Sequence, residues 1–248
     1  DILGGGQNLI PYQDDVLLNV VTCALVIFGG IGFLVIREVI AKRFRWKKLS
    51  MHAKVVLFMS LVLTAAGTVL LKLTEDITWM GAFFTSVSAR TAGFSTFPLG
   101  SFSGAGLLTV IVLMVIGASP GSTGGGIKTT TCYVLFEGIR SSATNTSEKA
   151  FRYAVPTDAF RKAAVITLLA IGIVLSGTYI LVILEPGVPF LDALFEMSSA
   201  FGTAGLSTGI SAGLCDAAKI LTILIMFIGR LGPLTIASLW YFTKGERV

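Results

Sequence analysis

Residues 91–127 carry no charged side chain, and this run is too long to be one simple membrane helix. At 1.5 Å per residue, about 20 residues cross the ~30 Å hydrocarbon core of a bilayer. The run must therefore hold an extended loop, a helix and something irregular. Irregular backbone is tolerated at membrane depth only where it is buried in protein or lines a water-filled cavity. Residues 16–36 are uncharged and long enough to span, and 55–71 form a second apolar run between Lys54 and Lys72, whose long stems can snorkel. A third run covers 163–184, and 220–243 contains a single charge, Arg230. The chain is 54% hydrophobic and 13% charged over 248 residues, against about 25% charged in soluble domains. A chain of this length cannot hide so many apolar runs from water, so it reads as an integral membrane protein.

The net charge of +5 would suit nucleic acid if it were a patch, but the basic residues sit at the ends of apolar runs. Arg37, Lys42, Arg43, Arg45, Lys47 and Lys48 stand against one acid, Glu38. Arg140, Lys149, Arg152, Arg161 and Lys162 lie in the connection 137–162, and Lys244 and Arg247 in the tail. These three segments are expected in the cytoplasm. Asp14, Asp15, Glu75, Asp76 and Glu185 mark the opposite side. The order that satisfies every loop starts outside, crosses five times and ends inside. Cys23, Cys132 and Cys215 have no metal or disulfide spacing, and His52 is the sole histidine, which excludes a histidine metal cluster. The sequon Asn145-Thr146-Ser147 falls in a loop expected to be cytoplasmic. Asp1 is an unusual first residue, and the chain reads as part of a longer protein.

One element occurs twice. Arg90-Thr91-Ala92-Gly93-Phe94-Ser95-Thr96 and Gly202-Thr203-Ala204-Gly205-Leu206-Ser207-Thr208 are 112 residues apart (Thr91 to Thr203, Gly93 to Gly205). The offset continues without a gap. Phe83 aligns with Phe195, Ser86 with Ser198, and Leu113-Met114-Val115-Ile116-Gly117 with Ile225-Met226-Phe227-Ile228-Gly229. Each copy follows a short apolar segment, 77–88 or 189–200, too short to span as a helix. Such segments are candidates for re-entrant helices, with Asp76 expected to cap the first and Pro189 to lie in the first turn of the second. A broken or interfacial helix is the plainer alternative. Each repeat thus reads as spanning helix, short re-entrant helix, glycine loop, spanning helix. Both repeats cross in the same direction, as walls of a pore do. An alkali cation crossing a membrane exchanges its water shell for protein oxygens, and rings of backbone carbonyls supply them. Gly93 and Gly205 permit the backbone angles that turn carbonyls toward one axis, and Thr91 and Thr203 add side-chain oxygens. A simple helix-packing role for the small residues would not need a short helix before each loop.

This pattern resembles the Trk/Ktr/HKT superfamily of potassium transporters, and most closely the membrane subunit of bacterial Ktr systems. Three stretches carry the resemblance: 88–96, 117–129 (Gly117-Ala118-Ser119-Pro120-Gly121-Ser122-Thr123-Gly124-Gly125-Gly126-Ile127-Lys128-Thr129), and Ile228-Gly229-Arg230-Leu231-Gly232-Pro233. The resemblance implies an all-α membrane fold of spanning helix, re-entrant pore helix, filter loop and spanning helix around a central pore. It divides the chain into the tail of an incomplete repeat (1–50), a third pore repeat (51–150) and a fourth (151–248). It implies potassium uptake across the cell membrane, no enzymatic chemistry, and K+ as the transported ion with Na+ as a coupling ion. The implied filter residues are Thr91, Ala92, Gly93, Phe94, Thr203, Ala204, Gly205 and Leu206. The implied gate is the intramembrane loop of Gly117, Ser119, Pro120, Gly121, Gly124, Gly125 and Gly126, with Arg230 projecting below the filter. The implied partners are the N-terminal pore repeats, a homodimer partner, a cytoplasmic nucleotide-binding regulatory ring protein and the lipid bilayer. The stretch 121–129 also evokes a phosphate-binding loop. However, Ile127 separates Gly126 from Lys128, and a membrane segment rather than a strand precedes it. A non-conducting scaffold or pump subunit is the other class, told apart by whether two further filter-bearing repeats lie upstream in the gene.

Overall fold

The computed structural model describes residues 8–144, 149–150, 153–154 and 157–232. Apart from one two-residue antiparallel pair, Lys149–Ala150 with Tyr153–Ala154, the described secondary structure is helical. Among the described residues, two helices are long and apolar enough to cross a bilayer alone: α3 (Met51–Thr74) and α7 (Thr157–Leu184). Each is followed by a short helix, α4 (Trp79–Ser88) after α3 and α8 (Phe190–Gly202) after α7. An irregular loop and an outgoing helix come next, α5 (Gly104–Val115) and α9 (Asp216–Leu231). Helices α1 (Val16–Ile31) and α2 (Phe33–Ala41) precede the first set, and α6 (Thr129–Thr144) lies between the two. With 10 and 13 residues, α4 and α8 reach only about 15 and 20 Å.

The short helices are the buried ones. Phe84, Phe195, Phe201 and Met197 are the largest enclosed side chains of α4 and α8. One core joins α3, α4 and α5 to Phe195, Ala204 and Leu206, while a second joins α7, α8 and α9. The lipid-side stripes of α3 and α7, Leu61 and Leu73, Leu168 and Tyr179, stay exposed, as expected of helices whose outer faces meet acyl chains. Buried and lipid-facing positions are equally apolar, which is why hydropathy alone could not separate them.

Helix starts are capped by hydroxyls. Ser50 accepts from the Ala53 amide at 3.2 Å, Thr78 from Gly81 at 3.1 Å and Ser103 from Gly106 at 3.1 Å. Thr78, not Asp76, therefore caps α4. Pro189 takes the N-cap of α8 rather than its first turn, where its missing N–H costs nothing. Both repeats tie the incoming helix to the outgoing one by a glutamate. Glu75, just past α3, accepts from the Ser103 hydroxyl at 2.6 Å, and Glu185, just past α7, accepts from the Cys215 amide at 2.6 Å. That amide bond holds the Glu185 carboxyl below its ordinary range. Its contribution is therefore present at neutral pH and is lost as pH falls through the lowered value.

Two expected spans are not continuous. Residues 16–36 bend by 94° between α1 and α2. The break is at Gly32 (φ 90), where a Cβ would lie 3.0 Å from the Pro120 carbonyl oxygen and 3.1 Å from that of Gly121. Helix α9 likewise stops at Leu231 before Gly232 (φ 89), which places Arg230 in its last turn. The remainder of 220–243, the tail basic residues and the sequon lie outside the described residues. The two glycines adopt nearly the same angles, φ 90, ψ 142 and φ 89, ψ 138, which L side chains rarely take.

Candidate cation filter and the loop beneath it

The two glycine loops meet. A Cβ on Gly93 would lie 2.8 Å from the Ala204 carbonyl oxygen and 3.4 Å from the Gly205 Cα. One on Gly205 would lie 3.4 Å from the Gly93 Cα. Both glycines have positive φ, 80° and 81°, and so do the threonines before them, Thr91 at 80° and Thr203 at 51°. A β-branched residue in that region is a genuine outlier and persists only where its surroundings hold it. The same strained Thr-x-Gly backbone is thus built twice, at the end of two buried helices, from sequences that share it.

Each loop is fastened differently. In the first, the Ser88 hydroxyl donates to the Phe94 carbonyl and the Ala92 amide to the Ser88 carbonyl at 3.0 Å. Arg90 is 9% exposed and reaches back to α3, donating to the Ser60 carbonyl at 3.2 Å and to its hydroxyl at 3.3 Å. Asn8 donates its amide to the Gly93 carbonyl at 3.0 Å, and the Leu9 amide donates to the Ser95 carbonyl at 3.0 Å. The second loop hangs from a carboxylate. Glu196 of α8 is 5% exposed and accepts from the hydroxyls of Ser207 and Ser211, the latter at 3.0 Å; the Gly209 amide donates to Ser207 at 2.9 Å. No basic side chain pairs with Glu196 among the described residues. Asn8, Arg90 and Glu196 have no assigned role in the sequence reading. A charge inside an apolar helix is the available signal for Glu196, whereas nothing in the sequence marks Asn8.

Removing the Glu196 acceptor takes the carboxylate partner from two half-buried hydroxyls, Ser207 and Ser211, at the low end of the about 1–3 kcal/mol that an unsatisfied group costs. Glu196→Ala is therefore expected to lower the thermal midpoint by about 5 °C, and Glu196→Gln, which keeps one acceptor oxygen, by less. Melting curves of the purified variants check this, and equal midpoints for both variants and the parent would contradict it.

The stretch 117–126 is an irregular loop between α5 and α6 that returns to its starting point. The Ile127 amide donates to the Val115 carbonyl at 3.0 Å, and Ile116 and Ile127 form a parallel bridge. The loop is pinned on three sides. Ser119 N donates to Gly30 O of α1 at 3.1 Å, Gly126 N to Gly229 O of α9 at 3.4 Å, and Gly125 N to Thr203 Oγ1 at 2.9 Å. A Cβ on Gly124 would collide with the Thr91 hydroxyl, so the loop lies directly against Thr91 and Thr203, the threonines of the two bends. Arg230 donates to the Thr123 carbonyl and Lys128 to the Gly124 carbonyl, the latter at 2.6 Å. The carbonyls of Thr123 and Gly124 thus face two cations. Gly117, Ala118 and Ser119 are buried while Gly121 and Thr123 are exposed. Phe94 is 43% exposed, whereas its counterpart Leu206 is 3% exposed.

Short buried helices end in paired, strained bends packed against an irregular loop, and the class of protein with this fold is that of membrane cation transporters. Residues 46–242 match the family model described as TrkH, cation transport protein, and the chain belongs to that family. It is 36% identical over 255 residues to Ktr system potassium uptake protein B of Bacillus subtilis, covering 97% of this chain and 56% of that protein. It is 33% identical over 248 residues to the potassium/sodium uptake protein NtpJ of Enterococcus hirae, covering 93% and 54%. The crystal structure of the potassium transporter TrkH from Vibrio parahaemolyticus superposes with a TM-score of 0.74 at 19% identity, over 96% of this chain and 53% of that one, which shows the fold. The chain spans about half the length of the curated relatives it matches.

Proposed function

We propose that this chain forms two walls of a pore that takes up potassium across the cell membrane. The face-to-face placement of the Gly93 and Gly205 bends carries this reading, because oxygens from two such bends can replace part of an ion's water shell. Thr91, Ala92, Gly93 and Phe94 form one wall and Thr203, Ala204, Gly205 and Leu206 the other. The Gly93 carbonyl has a lone pair left after accepting from Asn8. Two walls do not close a ring, so the remaining ones come from N-terminal pore repeats, with 1–50 as the tail of one, 51–150 as a third repeat and 151–248 as a fourth. Potassium is favoured by the names of two relatives, a potassium uptake protein and a potassium/sodium uptake protein. The latter also keeps Na+ as a coupling ion in view. A Ktr-type assembly would add a homodimer partner and a cytoplasmic nucleotide-binding ring protein. The basic segments face the cytoplasm, and the tail ends there. The test is rubidium uptake by the assembled transporter in cells lacking potassium uptake of their own. Uptake above the empty-vector level supports the reading, and normal expression with no uptake contradicts it.

The loop 117–126 acts in this reading as the gate, and Arg230 holds it shut through Thr123. A charge-assisted hydrogen bond contributes about 1.5–3 kcal/mol, so its loss shifts a closed–open balance about tenfold or more. Arg230→Ala is expected to raise rubidium flux. Unchanged or lower flux at equal expression would make Arg230 a structural residue.

A further inference from the structure

Helix α2 leaves α1 at 94° and packs Val35 against Leu49, Ala53 and Val56, the start of α3 and the residue before its cap. It therefore lies beside the start of α3, turned across the direction of α1. Its junction with α3 is fixed by Glu38, which accepts from Lys42 at 2.5 Å, the Ser50 amide at 2.7 Å and the Ser50 hydroxyl at 2.6 Å. Beyond Ala41 the chain turns sharply, with Arg43 and Phe44 both at positive φ (49° and 58°) and the Phe44 amide donating to the Val39 carbonyl at 3.0 Å. This turn lines an open surface pocket of about 340 Å³ formed by Ala41, Lys42, Arg43, Arg45 and Lys48. Glu38 is already engaged with Lys42. Arg43, Arg45 and Lys48 have no ion pair among the described residues.

The same segment exposes large apolar side chains: Phe33, Leu34, Ile40, Phe44 (79%) and Trp46 (46%). A soluble anion would satisfy the cations and make no contact with these groups. A phospholipid supplies both, a phosphate for the guanidinium forks and acyl chains for the aromatic and aliphatic groups. Basic segments face the cytoplasmic leaflet, where anionic lipids concentrate, and the volume suits a small headgroup. We propose that the turn 41–48 at the end of α2 binds the phosphate of an anionic phospholipid of the inner leaflet. A lipid held there anchors the far end of the helix whose near end, Gly32, abuts Pro120 and Gly121.

The test is native mass spectrometry of the transporter containing this chain, titrated with phosphatidylglycerol and, separately, phosphatidylcholine. Millimolar inorganic phosphate serves as competitor. Phosphatidylglycerol is expected to bind about tenfold or more tightly, and the double variant Arg43→Gln/Arg45→Gln to lose that preference, because each guanidinium–phosphate contact is charge-assisted. Lys48→Gln serves if the double variant does not fold, and Arg140→Gln, a basic residue elsewhere, is expected to leave binding unchanged. Equal retention of both lipids, or retention of the preference in the Arg43/Arg45 or Lys48 variants, overturns the proposal. Complete displacement by inorganic phosphate overturns the lipid assignment in favour of a soluble anion. Loss of the lipid preference only when a cytoplasmic protein is co-purified identifies the turn as that protein's dock and likewise overturns it.

Discussion

Serine at Gly93 or Gly205 is expected to abolish most of the discrimination between potassium and sodium in the assembled transporter. Both positions have φ near 80°, where an L residue loses about 1–2 kcal/mol. At Gly93 the new Cβ would also lie 2.8 Å from the Ala204 carbonyl oxygen. One bend must move, and with it the oxygens proposed to meet the ion. A shift in oxygen placement changes the relative stability of two ions of different radius. A change of about 1.4 kcal/mol alters their ratio about tenfold. Gly205 has more room, its nearest neighbour being the Gly93 Cα at 3.4 Å, so Gly205→Ser is expected to have the smaller effect. Competition of sodium against rubidium uptake measures both. An unchanged ratio in Gly93→Ser, at normal expression, would remove the bends from the permeation path.

Gly229→Val is expected to be still more damaging, through the fold rather than through selectivity. A Cβ on Gly229 would collide with the Phe201 carbonyl of α8, and backbone cannot swing aside as a flexible side chain can. Overpacking in a close-packed core costs about 1–3 kcal/mol, and here it also threatens the hydrogen bond from Gly126 to the Gly229 carbonyl. The α8–α9 contact, the Thr203 bend and the loop would loosen together. The expected result is loss of the monodisperse peak in size-exclusion chromatography of the purified protein. Gly172→Ala is the control, since nothing lies within 4 Å of a Cβ there, and it is expected to behave as the parent. A stable, monodisperse Gly229→Val protein would mean that α9 does not lie as close to Phe201.

The architecture was legible because it is written twice. The 112-residue offset pairs Gly93 with Gly205, Gly117 with Gly229, and Ser103 with Cys215, and the structure uses each pair alike. The glycine bends close on one another, a Cβ on Gly117 or Gly229 would meet a backbone carbonyl (Gly125 of its own loop, Phe201 of α8), and Ser103 and Cys215 both begin an outgoing helix held by a glutamate. The break at Gly32 was not legible, because hydropathy is blind to one residue's backbone angles. Residues 16–36 read as one span until Pro120 and Gly121 are seen packed against Gly32. The cap of α4 was missed because Asp76 and Thr78 are both good caps, and only the helix register chooses between them. Glu196, Arg90 and Asn8 act across 11 or more residues of chain, on partners that spacing does not reveal. The two fastenings also differ. Where Glu196 holds the second loop, position 84 in the first carries Phe, and Ser88 takes over by bonding Phe94. A repeat read from matching residues shows what is shared and hides such local substitutions.

The most direct test is a crystal structure of the assembled transporter grown in thallium, a potassium-sized cation with strong anomalous scattering. Anomalous peaks on the pore axis, against carbonyl oxygens of 91–94 and 203–206 and above the loop 117–126, are the expected result. A map in which those bends face lipid, or in which thallium lies elsewhere and leaves them empty, would contradict the proposal that these bends carry the ion.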